Sequence, residues 1–252
     1  MYHNKPVAAL VPAFNEAAAI GAVVTDLLAL RYADQPVFDR VIVCDNASTD
    51  DTAAQAAKAG ATVVFEPRRG YGAACLRAID AAEDVELLVF VDGDHSAYAA
   101  DITALLAPLA ASPGADLVIG SRTLGEAEAG ALTPQQRWGN WLATRLISAI
   151  WRQPVTDLGP LRAIRTLALQ NLNMTDPTFG WTVEMQTKAF MHNLVVTEVP
   201  VRTRVRIGTS KISGTLSGTI KAGYGILSTV AKYAWQQFNR PTKPLAPRLT
   251  ER

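Results

Sequence analysis

The feature that most constrains this chain is an alternation. Through the first half, short β-rich apolar runs, each closed by polar residues, exchange with alanine-rich helical stretches. VAALV leads into PAFNE and a helix to about Leu30, and VIVCD leads into NASTDDT and a helix to Ala59. ATVVFE is followed by PRRGYG and the helix AACLRAIDAA, LLVFV by DGDHS and ITALLAPLA, and ADLVIG by SRTLGE. Short apolar runs closed by Asp and Gly read as buried strands. Five such units predict an α/β fold, a mostly parallel sheet with helices on both faces. The strand C-termini then gather along one edge, where open sheets of this kind bind ligands.

At 252 residues the chain suits one large domain. Its 24 basic and 23 acidic side chains nearly cancel, so no global charge points to nucleic acid and partners must be argued from local patches. Cys44 and Cys75 show neither metal-ligand spacing nor a disulfide framework, which fits a reducing cytoplasm. The opening MYHNKPVAALVPAFNE lacks the apolar core of a secretory signal. Lys221, Lys232 and several glycines interrupt Ile212 to Trp235, so this stretch reads as non-spanning.

Beyond Arg122 the strict alternation fades. Gly125 to Thr133 reads as a mobile loop before a helix around RWGNWLATRLISAIW, and NRPTKPLAPRLTER, residues 239–252, as a disordered tail. A C-terminal helix from about Thr215 to Phe238 places Ile220, Tyr224, Leu227, Val230 and Trp235 roughly along one stripe. Core packing is the first use of such a stripe; with Lys221 and Lys232 beside it, resting on an anionic membrane surface is the second.

Three polar clusters close successive strands. Turn chemistry accounts for much of PAFNE, and helix capping for Ser48, Thr49 and Asp50, but capping leaves Asp45 unexplained at the end of its strand. In VDGDHS, Asp92 and Asp94 are spaced so that both carboxylates face one side of an extended chain across the small Gly93. Two carboxylates there repel unless a cation or a proton intervenes. Mg²⁺ or Mn²⁺ meets that need, because a hard cation takes one or two carboxylates and completes its shell with water and phosphate oxygens. Plain solvation of a loop is the alternative for this triplet taken alone.

VPAFNEA, VCDNASTDDTA, RRGYGAA and VFVDGDHS, in this order and spacing over roughly residues 7 to 122, resemble glycosyltransferase family 2 with the GT-A fold. The resemblance implies an inverting transferase using a UDP- or GDP-sugar, with Asp92 and Asp94 as its metal motif and Pro12, Phe14, Glu16 and Asp45 lining the nucleotide site. Asn46 and Ala47 stand where Asp-Gly is frequent in that family, and Gly93 where Ala is frequent. In the second half, GSR, DLGPLRAI, FGWTVEMQTKA and VPVRTRVRIGTSKISGT are similar to the polyprenyl-phosphate sugar synthases. Residues 1–122 are then the donor half, and 123–238 the acceptor half, of a single domain on the cytoplasmic face, with peripheral contact to the membrane.

A phosphate acceptor is already an anionic nucleophile and needs cations to position it, whereas a hydroxyl needs a base to take its proton. The chain offers Arg122, Arg137, Arg202, Arg204, Arg206 and Lys211, the alternating arginines falling on one face of a strand. A solvated strand face is the plainer reading of those arginines. Arg68 and Arg69, ahead of Gly70 and Gly72, suit a close turn against a diphosphate, or an exposed turn. For a hydroxyl acceptor on a glycan, lipid or small metabolite, Glu184 is the first base and Asp157 the second; Glu184 serves equally as a structural partner of one of the arginines. Of the three histidines, only His95 is near the metal loop. A non-catalytic nucleotide-sugar binding module is the remaining class, disfavoured by the intact Asp92 and Asp94.

Overall fold

The computed structural model describes residues 2–208 and 216–239, with side chains from 223 onward in the second span. Lys211, the side chains of Ile220 and Lys221, and residues 240–252 lie outside the described residues. In chain order the elements are β1 (Val7–Ala13), α1 (Ile20–Ala29), β2 (Arg31–Tyr32), β3 (Gln35–Pro36), β4 (Arg40–Asp45), α2 (Thr52–Lys58), β5 (Thr62–Phe65), α3 (Tyr71–Asp80), β6 (Leu87–Phe90), α4 (Ile102–Ala110), β7 (Leu117–Ser121), α5 (Pro134–Trp151), β8 (Arg162–Arg165), α6 (Thr166–Leu172), α7 (Trp181–Met191), β9 (Val196–Pro200) and α8 (Leu216–Phe238).

Seven strands form one sheet in the order β5-β4-β1-β6-β8-β7-β9, and β2 and β3 form a small hairpin beside it. All neighbours pair in parallel except β8, which runs antiparallel to both β6 and β7. The five strands expected from the alternation are all present. The antiparallel insertion of β8 was not expected, because RAIR is short and half basic; Arg162 is nevertheless buried, donating to the Gly159 and Thr182 carbonyls.

The wholly apolar character of β1 follows from burial on both faces. Val7, Ala9, Val11 and Ala13 pack with α1 and α4, whereas Ala8 and Leu10 pack against α3 and α7. A third cluster joins Ile147 and Trp151 of α5, Val183 of α7, and Val230 and Tyr233 of α8. The stripe expected on α8 is therefore corrected. Thr229, Val230 and Tyr233 form its buried side, while Tyr224, Leu227, Trp235 and Phe238 stand exposed. The expected stripe mixed two opposite faces of the helix.

Gly125–Thr133 is held more firmly than a mobile loop. Glu128 N donates to Thr203 O, Thr203 N to Glu126 O, and Tyr98 Oη to Glu128. A Cβ on Gly125 would lie 2.0 Å from the Val201 carbonyl, so glycine permits that close approach. Among the described residues, no helix is long and apolar enough to cross a membrane.

Candidate active site

Because β5, β4, β1 and β6 are adjacent and parallel, their C-terminal ends bring PRRGYG, CDNASTDD, PAFNE and VDGDHS side by side on one edge. The turns are laced together. Asn15 N donates to Ser48 Oγ, Glu16 N to Thr52 Oγ1, and Thr49 N to Asn15 Oδ1. Ser48, Thr49 and Thr52 thus fasten the PAFNE turn. The capping expectation holds only for Asp50, whose Oδ1 accepts the Thr52 amide, while the N-cap residue Asp51 makes no side-chain cap.

Asp45 ends β4, nearly buried, with Oδ1 accepting the Ser48 amide. Next to it Asn46 clamps the arginine turn: Nδ2 donates to the Glu66 and Arg68 carbonyls, and Oδ1 accepts the Gly70 amide. Ala47 sits at φ 56, the left-handed conformation that explains glycine's frequency at this position. Arg69 stacks over Phe14 at 3.7 Å, and the close turn expected at Gly70 is present with φ 150.

Asp92 and Asp94 lie just beyond β6. Asp94 Oδ1 accepts the Ser96 amide and its Oδ2 lies 3.3 Å from Arg206, which also reaches Glu16 at 3.1 Å. Asp92 accepts from Tyr71 Oη at 3.1 Å. Burial, and then the neighbouring Asp94, push the Asp92 carboxyl up to about 7, against the opposing Tyr71 hydrogen bond and the Arg206 and Arg122 charges. A carboxyl so poised, beside another already leaning on a guanidinium, is a place where positive charge is in demand. No three metal-ligating side chains converge among the described residues, so Asp92 and Asp94 would leave most of a cation's shell to phosphate and water. Gly93 keeps the two close to β1: a Cβ there would meet Ala13 and the Pro12 carbonyl at 3.3 Å, a crowding that a small shift relieves.

Of the three alternating arginines, only Arg206 reaches the metal motif. They lie in an extended segment outside any named strand, which runs beside the DGDHS loop through Arg204 N to Ser96 O and Ile207 N to Asp94 O. Arg204 is spent on the His95 carbonyl and Asp26, and Arg202 on Asp101. His95 itself turns to Asp26, 2.9 Å away. Arg122 follows β7 and grips Asp157 through Nε and Nη2 at 2.8 and 2.7 Å. Arg137 is exposed in the first turn of α5 and is not brought to the aspartates.

The two proposed bases are corrected by their surroundings. Asp157 is fully buried and taken by Arg122. Glu184 is likewise buried, accepting from Thr175 N and Oγ1, Asp176 N, Tyr233 Oη and Lys188 Nζ. Burial alone would raise its carboxyl, but the bonds from Lys188, Tyr233, Asp176 and Thr175 prevail and hold it below its ordinary value. A carboxylate with its lone pairs so committed and its basicity lowered is poorly suited to take a proton. Tyr71 was missed altogether; an aromatic between two glycines in RRGYG was the available signal.

Comparison with known proteins agrees with this arrangement. The family model described as glycosyl transferase family 2 matches residues 8–172. An uncharacterized glycosyltransferase of Mycobacterium tuberculosis is 36% identical over 218 residues, 86% of this chain and 94% of its own length. A dolichyl-phosphate hexose transferase of Haloferax volcanii is 30% identical over 213 residues, 84% of this chain and 88% of its own. Among solved structures, glucosyl-3-phosphoglycerate synthase of M. tuberculosis in complex with Mn²⁺, UDP and phosphoglyceric acid superposes with a TM-score of 0.74 at 22% identity, covering 92% of this chain and 79% of that one. The mostly parallel sheet with one antiparallel insertion is the GT-A fold. Four laced turns on its strand edge and a match through most of that sheet lead to one conclusion: the chain belongs to glycosyl transferase family 2.

Proposed function

We propose that the protein transfers a sugar, with inversion, from a UDP- or GDP-sugar to a polyprenyl phosphate at the membrane surface. The observation that carries this reading is the contrast around the aspartates: Glu184 and Asp157 are both consumed by hydrogen bonds, while Arg206 lies against Asp94 and Arg122, held in place on Asp157, adds its positive charge beside Asp92. An acceptor that brings its own negative charge needs no base. Its phosphate oxygen attacks the anomeric carbon opposite the diphosphate, and the C1–O bond breaks with its electron pair leaving on the nucleotide. Asp92 and Asp94 would hold Mg²⁺ or Mn²⁺, which supplies charge neutralisation for that leaving group. Pro12, Phe14, Glu16, Asp45, Arg69 and Gly70 frame the nucleotide, and Arg122 and Arg206 position the phosphates. Exposed Val205 and Ile207 bracket Arg206, and Leu124 is exposed two residues from Arg122, offering apolar surface beside the cations to a lipid tail.

The membrane contact has its own support. Tyr224, Leu227, Trp235 and Phe238 line the outward side of α8, and Trp138 and Trp141 are exposed on α5. From Lys211 to Thr250, past the paired arginines, the sequence has six Lys and Arg and no Asp or Glu. An apolar aromatic stripe with unopposed basic charge suits an anionic lipid surface.

Transfer of label from UDP- and GDP-sugars to a short polyprenyl phosphate, to 3-phosphoglycerate and to neutral glycans tests the acceptor class. The reading expects a metal-dependent, mild-acid-labile lipid product. Product only with 3-phosphoglycerate would favour the second reading, a small phosphorylated hydroxyl acceptor, which draws on the 32% identity over 46% of this chain to a glucosyl-3-phosphoglycerate synthase of Mycolicibacterium paratuberculosis.

A further inference from the structure

The arrangement of Glu184 raises the question of what so many hydrogen bonds to one buried carboxylate accomplish. They order residues 175–178, which have no regular structure of their own: Glu184 accepts the Thr175 and Asp176 amides, and Asp176 Oδ1 in turn accepts the Thr178 amide at 2.6 Å. That segment then caps α3. The N-cap residue Gly70 has no side chain to offer, and the Gly72 and Ala73 amides donate instead to Thr178 O at 3.2 Å and Pro177 O at 2.9 Å. Contact is close enough that a Cβ on Gly72 would lie 2.0 Å from Asp176 O, and one on Gly70 2.1 Å from Pro177 O. Where the segment sits therefore fixes where Tyr71 sits, and Tyr71 Oη holds Asp92. On its far side, the node is tied to α8, with Tyr233 Oη donating to Glu184 at 2.6 Å and Thr229 Oγ1 to Asp176 at 3.4 Å.

We propose that Tyr71 and Glu184 are positioning residues for the donor site: Tyr71 orients the Asp92 carboxylate, and Glu184, through residues 175–178, holds the turn that carries Tyr71. The inference rests on the reading of Asp92 and Asp94 as the metal motif. A hydroxyl donating to Oδ1 fixes the carboxylate plane and leaves Oδ2 to face the cation, as partners of metal ligands do elsewhere. It also assigns Glu184 a part unlike that of a base. Loss of a base lowers kcat and leaves donor binding intact, whereas loss of a positioning residue weakens metal and donor binding and is offset by saturation.

The test is Mn²⁺ binding measured by electron paramagnetic resonance in the presence of UDP, repeated with GDP, on wild type, Tyr71→Phe, Glu184→Gln and Asp94→Asn. Tyr71→Phe removes one hydroxyl and is expected to weaken Mn²⁺ about tenfold, with the thermal midpoint little changed. Glu184→Gln is expected to weaken it in the same direction and to raise the donor KM, with kcat recovered at saturating Mn²⁺ and donor. Should Glu184→Gln fail to fold, Tyr233→Phe removes one bond from the same node and should show a smaller shift of the same sign. Mn²⁺ binding within twofold of wild type in Tyr71→Phe, alongside its loss in Asp94→Asn, overturns the positioning role alone. Undiminished binding in Asp94→Asn overturns the metal motif itself, and this inference with it.

Discussion

Asp92 concentrates the chemistry of the site in one carboxyl. Its folded-state value of about 7 lies above the ordinary 3.8, so the metal-free fold binds a proton there that the unfolded chain has already released. The sign follows: this group's contribution to stability is present at low pH and is lost as pH rises from about 4 through about 7. A cation must displace the same proton, so apparent Mn²⁺ affinity should climb with pH up to about 7 and level off above it. A Mn²⁺ titration between pH 5.5 and 8.5 checks this, and a flat profile would show that Asp92 is ionised before metal arrives. The sequence already asked for a cation or a proton between the two carboxylates, but it did not say that desolvation would fall on Asp92. Arg206 was legible as one of three alternating arginines, yet only the structure shows that Asp101 and Asp26 absorb the other two.

At the scale of elements, the alternation of apolar runs revealed every parallel strand through β7: β1, β4, β6 and β7 are buried on both faces, and the half-buried edge strand β5 still keeps an apolar run. It failed at β8, whose four residues include two arginines satisfied by backbone carbonyls, and on α8, where two opposed apolar faces read as one stripe. The turns show why one departure from the family pattern is tolerated. Asn46 uses its amide nitrogen to bond two carbonyls and its oxygen to accept the Gly70 amide. Asn46→Asp, which restores the more frequent residue, would turn an acceptor toward the Glu66 and Arg68 carbonyls. With two buried bonds lost at about 1 kcal/mol each, a destabilisation of about 2 kcal/mol is expected, measurable by urea denaturation. Unchanged stability would mean that the arginine turn holds without its clamp. On α8, Trp235→Glu and Phe238→Glu should abolish flotation with anionic vesicles while leaving the fold and nucleotide binding as they were. Equal flotation of wild type with neutral vesicles would remove the electrostatic part of the membrane contact.

Across the whole molecule, residues 1–122 and 123–238 contribute strands to one sheet, so the same strand edge carries the proposed metal motif, the arginine turn and the cations that would receive a phosphate. That the four motifs share one edge was foreseeable from the sequence, since parallel strands leave their C-terminal turns on the same side; their order along it was not. The acceptor side was less so: whether Glu184 is a base or a fastener depends on five donors that come from residues between 175 and 233. The central claim is that this edge binds a nucleoside diphosphate through a cation on Asp92 and Asp94. Thermal stabilisation by UDP and by GDP, each with and without Mn²⁺, on wild type and Asp94→Asn tests it most directly, because a ligand that binds the folded state raises its melting temperature by mass action. The account predicts a shift with one of the two nucleotides that requires Mn²⁺ and disappears in Asp94→Asn. An equal shift in the variant, or none in the wild type with either nucleotide, would contradict it.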